Sequence, residues 1–111
     1  MGFLRDTNFT VATPFVTVTS PKSAVRWTAG STHAITWNHN LSTASAVKIE
    51  VSRNGGTTWS VISGSVPNSG AKAGSYNWTV SGPSTSTARI RVTWTTNTAV
   101  NDRGNGNFTI Q

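Results

Sequence analysis

The chain has 111 residues, enough for one domain with one modest core. It contains no cysteine, which excludes a disulfide framework, thiolate metal sites and thiol catalysis. Nine Lys and Arg against three acids give a net charge of +6, a balance that favours acidic partners such as polyanionic glycans, anionic lipid surfaces or nucleic acid.

Only 11% of the residues are charged, and Thr, Ser, Asn and Gly fill the gap, as in β-rich, turn-rich chains. Five Trp, four Phe and one Tyr supply large buried areas to a lean apolar content of 35%. No stretch approaches the ~20 apolar residues of a membrane helix, so no membrane span is expected. The opening "MGFLRD" is expected to be a cloned start on a piece of a longer chain, and no signal peptide is visible.

In chain order, "NFTV" (8–11) comes first and nearly repeats "NFTI" (107–110). "FVTVTSP" then places Val16 and Val18 on one face, with Thr17 and Thr19 opposite. "HAITWN" aligns Ile35 with Trp37, and "VKIEVS" turns Val47, Ile49 and Val51 inward with Lys48 and Glu50 outward. Asn54-Gly55 in "SRNGGTTW" predicts a hairpin with a type I′ turn. "YNWTV" aligns Tyr76, Trp78 and Val80. "ARIRVTW" aligns Ala88, Ile90, Val92 and Trp94, with Arg89, Arg91 and Thr93 opposite, and "NFTI" aligns Phe108 and Ile110. This period of two marks strands buried on one side, and no window sustains a helical period. Seven or eight short strands suit two packed antiparallel sheets, and a small closed barrel is the alternative.

The run "VTVTSPKSAVRWTAGSTHAITWN", followed by "VKIEVSRNGGTTW", "GSYNWTV" and "ARIRVTWTTNTAVNDRGNGNFTI", resembles the immunoglobulin-like (fibronectin-III-like) repeats of large secreted bacterial proteins. It is also similar to the N-terminal domain of the fungal Ser/Thr-rich GPI-anchored, yeast cell-wall glucan-assembly family. The resemblance implies an all-β immunoglobulin-like sandwich, a secreted or cell-surface setting and no catalysis by the module itself. In such arrays each repeat closes on an "NFTI"-like strand. Residues 1–12 are therefore expected to be the remnant of a preceding repeat or linker, and residues 13–111 the sandwich. Lys22-Ser23-Ala24-Val25 stands where the repeats often read Asn-Gly-Gly-Glu, and Trp94 where they often carry an acid; both changes remove negative charge.

Catalytic constellations are thin. The acids are Asp6, Glu50 and Asp102, with no convergent pair of the kind glycoside hydrolysis uses. His33 and His39 lack the supporting ligands of a zinc site, and nothing places an acid behind either for a serine triad. "SRNGGTTW" resembles an Asp-box hairpin with Asn54 in place of the Asp, a structural motif that Trp59 anchors.

The expected role is that of a non-catalytic structural or spacer module without cofactor or metal, with neighbouring domains of the same polypeptide as partners. The alternative is a carbohydrate-binding or cell-wall adhesion module favouring acidic glycans. Its candidate residues are Trp94 and Trp27 for stacking on sugar, and Arg89, Arg91 and Lys48 as a cationic stripe on the outward parity. No base-stacking aromatic motif lies on that parity, so nucleic acid is not an expected partner.

Overall fold

The computed structural model describes residues 13–41, 45–104 and 106–111. The "NFTV" segment and the expected remnant at residues 1–12 lie outside the described residues. Among the described residues there is no helix. Nine strands follow one another: β1 (Val16–Ser20), β2 (Arg26–Trp27), β3 (Thr32–His39), β4 (Ala46–Ser52), β5 (Ser60–Pro67), β6 (Ala73–Thr79), β7 (Thr85–Trp94), β8 (Asn101–Asp102) and β9 (Phe108–Ile110).

The strands form two sheets packed as a sandwich. The smaller has the order β1-β3-β6, the larger β2-β9-β7-β4-β5, with β8 alongside the far end of β7. Two of the strands have only two residues each, too few for alternation to reveal them in sequence. All pairings are antiparallel but one: β2 runs parallel to β9, with Arg26 level with Thr109 and Trp27 with Ile110.

The core lies between the sheets and follows the period of two. Val16, Val18, Ile35 and Trp37 from the smaller sheet are buried, and they meet Val47, Ile49, Ile90, Val92, Phe108 and Ile110 from the larger one. Trp37 is wholly enclosed. Its indole Nε1 donates to Oδ1 of the buried Asn68 at 2.9 Å, so the one polar atom of the ring is satisfied. The ring lies over Gly74, its cross-strand partner, where a Cβ would collide with the indole. Tyr76, on the same parity as Trp78, is only half-buried.

Two polar side chains tie the sandwich where strand pairing stops. β1 is an edge strand of the smaller sheet, and its Val18 N–H donates to Oδ2 of Asp102 on β8 at 2.8 Å. Asp102 thus satisfies an edge donor that would otherwise stay open. His39 ends β3 and is 1% exposed. Leu41 N–H donates to its Nδ1 at 3.0 Å, and its Nε2 lies 2.9 Å from the Gly70 carbonyl, so both ring nitrogens are engaged.

Candidate functional site

The outward face of the larger sheet carries most of the positive charge. On β7, Ile90 and Val92 point to the core, so Arg89 and Arg91 stand on the opposite face. Beside them on β4, Val47, Ile49 and Val51 point inward, and Lys48 and Glu50 outward. The register sets Glu50 opposite Arg91 and Lys48 opposite Thr93. Three residues thus form one cluster. Arg91 Nη2 lies 2.9 Å from Glu50 Oε1, Arg91 Nε donates to the same oxygen at 3.0 Å, and Lys48 Nζ stands 3.9 Å from Oε2. The Glu50 side chain is only 8% exposed beneath them.

Trp59 completes this face, and its position is set by the loop before β5. Asn54 and Gly55 do not form a two-residue type I′ turn. Residues 53–59 make a longer loop in which the positive φ values fall on Gly55 (71°) and Gly56 (100°), so the left-handed positions are glycine and Asn54 escapes the steric cost. Asn54 Oδ1 accepts from Thr58 N at 2.9 Å and from the Ser52 hydroxyl at 2.8 Å, and its Nδ2 donates to Thr58 Oγ1 at 2.8 Å. Ser52 Oγ in turn accepts from Gly56 N at 2.8 Å. The Asn side chain therefore closes the loop as the Asp-box resemblance implies. The motif resemblance makes Trp59 the anchor of its own hairpin. The loop instead delivers its ring under the Arg91 guanidinium, 4.2 Å from the ring centroid, with Arg103 at 6.0 Å.

Removing the Asn54 side chain should therefore loosen this platform. Asn54→Ala is expected to lower unfolding free energy by about 1–2 kcal/mol, the range for losing partly buried hydrogen bonds. Asn54→Asp, which keeps the acceptor oxygens, should stay within about 0.5 kcal/mol. Urea denaturation of the two variants measures both; equal losses would show that the side-chain oxygen does not hold the loop.

The structure brings together Lys48, Arg89 and Arg91, but separates them from both candidate tryptophans. Trp27 is 7% exposed. Its ring is stacked on His33 (centroids 4.6 Å apart, planes within 2°) and meets Trp78 and Phe108 edge-on, which leaves no open ring face for a sugar. Packing across the sheets claims it, because Trp27 is the inward residue of the edge strand β2, level with the buried Ile110 of β9. Trp94, the other stacking candidate, is partly buried on the face opposite to Arg91. Its Nε1 is buried with no hydrogen-bond partner among the described residues. Three residues of the cationic face were not candidates from sequence. Arg26 is exposed opposite the buried Trp27, Arg103 follows β8, and Trp59 was assigned to its hairpin. The parity of Trp27 could have found Arg26; Arg103 had no local signal.

Elsewhere, a groove of about 580 Å³ opens where the described chain begins, lined by Phe15, Asn38, His39, Asn40, Lys72 and Ala73 among others. Among the described residues no group of three or more His, Asp or Glu stands close enough to hold a metal ion. Among the described residues no helix is long and apolar enough to cross a membrane. The architecture defines the chain as an all-β protein of two packed sheets. No family model and no curated protein matches the sequence.

Proposed function

We propose that this chain is a non-catalytic immunoglobulin-like module, one bead of a longer secreted or cell-surface polypeptide, whose work is to hold a fixed length between its neighbours. The strand order supports the immunoglobulin-like reading: β1, β3 and β6 take the places of strands A, B and E, and β9, β7 and β4 those of G, F and C, with β5 beside β4. A non-catalytic role agrees with the state of the described acids, since Glu50 is engaged by Arg91 and Lys48, and Asp102 by the β1 backbone.

One observation carries the spacer role: among the described residues, Phe15 and Gln111 lie at opposite poles of the sandwich. At the start, Phe15 N–H donates to Asn40 Oδ1, and His39 N–H donates to the Lys72 carbonyl just before β6. At the end, Ala29 N–H donates to the Gln111 carbonyl, and Gly30 N–H to the Val80 carbonyl just after β6. Lys72 and Val80 are eight strand steps apart, roughly 26 Å at ~3.3 Å per residue. Neighbours joined at these poles are kept apart by the full length of the sheet.

The test is to join one, two and three copies of residues 13–111 head to tail and measure their lengths by small-angle X-ray scattering. The maximum dimension is expected to grow by a constant step of at least roughly 26 Å per copy. Two or three copies that collapse into a compact particle would overturn the spacer role.

A further inference from the structure

We propose that the outward face of the larger sheet is a binding site for an acidic polysaccharide, read through its carboxylate or sulfate groups. The proposal goes beyond the spacer role and does not rest on it. Five of the nine Lys and Arg stand on this face: Arg26, Lys48, Arg89, Arg91 and Arg103. The only acid among its described residues is Glu50, and Arg91 already neutralises it at 2.9 Å. Asp102 is turned the other way, toward Val18. Four positive charges are thus left without a countercharge on one side of a small domain.

These cations keep their donors for a ligand. Arg89 uses only Nε, toward Asn107 Oδ1 at 2.9 Å, which leaves both terminal nitrogens of its fork free among the described residues. Arg91 spends Nε and Nη2 on Glu50 and keeps Nη1. Arg26 and Arg103 make no side-chain hydrogen bond or ion pair to any described residue. Guanidinium forks of this kind engage carboxylate and sulfate with two parallel hydrogen bonds. The stacking of Arg91 on Trp59 and its bond to Glu50 hold that fork in place before a ligand arrives, which reduces the ordering entropy lost on binding.

The arrangement suits a chain rather than a single ion. Arg26 lies level with the start of β7, Arg89 and Arg91 follow along that strand, and Lys48 is level with Thr93 near its end. At ~3.3 Å per residue and ~4.8 Å per strand, this diagonal is roughly 25 Å long. A shallow pocket of about 180 Å³ lies at its end, lined by Lys48, Glu50, Arg91, Thr93, Thr98 and Asn101. Hydroxyl and amide groups beside two cations suit an acidic sugar unit, which presents both hydroxyls and a negative group. Trp59 is the only aromatic ring on this face and is already covered by Arg91, so the successive stacking platforms that single-stranded nucleic acids use are missing among the described residues.

The test is affinity electrophoresis and calorimetric titration of the whole chain with alginate (carboxylate), heparin (sulfate), neutral dextran and single-stranded DNA at low and physiological salt. Binding to alginate, heparin or both is expected, with none to dextran, weaker binding to DNA, and loss on raising the salt. Which of the two acidic polymers binds identifies the anionic group. Arg89→Gln/Arg103→Gln should weaken binding by about tenfold, as expected for two partly exposed charge contacts. Lys72→Gln, the control, removes a positive charge beside β6 of the smaller sheet and should change it less than about twofold. Arg26→Gln/Arg103→Gln is the second pair, used if the loss of the Arg89–Asn107 bond disturbs folding. Equal weakening per charge removed by the face pair and the control would overturn the proposal, leaving only a generally basic surface. So would failure to bind either acidic polymer, or tighter binding to DNA.

Discussion

Trp37→Ala should cost on the order of 3–5 kcal/mol in unfolding free energy, the largest loss expected from any single truncation in the chain. The indole is 0% exposed, contributes the biggest buried side chain of the core and satisfies the buried Asn68 through its N–H. Its loss leaves a cavity between the sheets and removes that hydrogen bond from Asn68. For a domain whose total stability is on the order of 5–15 kcal/mol, the change takes away a large share of it. The complementary change, Gly74→Ala, should destabilise by about 1–3 kcal/mol or more, because a methyl group there collides with the ring and the β3–β6 pairing cannot widen without losing its ladder. The two effects are coupled. In the Trp37→Phe background, where the smaller ring frees space over Gly74, the alanine should cost clearly less. Urea denaturation of the four species gives the coupling energy; strict additivity would mean that the ring and the glycine do not constrain each other.

Arg91→Met should be the most damaging change on the sheet surface, at about 3 kcal/mol. Although Arg91 is on the outward face, it covers Glu50, whose side chain is only 8% exposed. Removing the guanidinium leaves a largely buried carboxylate with Lys48, 3.9 Å away, as its remaining ion-pair partner. The substitution also takes the guanidinium off the Trp59 ring, so the loss in the single variant combines the unpaired charge with the lost cation–π contact. Adding Glu50→Gln to Arg91→Met should restore most of the stability, since the charge that suffers is then gone. Thermal unfolding of the wild type, both single variants and the double variant decides the matter. If Glu50→Gln brings no recovery, the cost lies in packing and not in electrostatics.

These two sites divide what was legible in the sequence from what was not. Trp37 belongs to the legible part. Its alternation with Ile35 placed it between the sheets, and the same period of two correctly turned Val47, Ile49, Val51, Ile90 and Val92 inward. It also put Lys48, Arg89 and Arg91 outward, because the face a side chain takes is a local property of an extended backbone. The gathering of those cations around Glu50 was less accessible. It requires β7 to lie next to β4 in one register, and that pairing joins residues about 40 positions apart.

By itself, then, the amino-acid order determined the longer alternating strands, their buried parities and the outward placing of Lys48, Arg89 and Arg91. The tertiary structure alone decided four other things: that two-residue β2 runs parallel to β9, that Trp27 is stacked on His33, that Trp94 faces away from Arg91, and that Trp59 lies beneath Arg91. The physical reason is the range of the forces involved. Alternation comes from the backbone geometry of neighbouring residues. Which strand lies beside which, and where a seven-residue loop delivers its tryptophan, depends on loop closure and on packing between segments far apart in the chain.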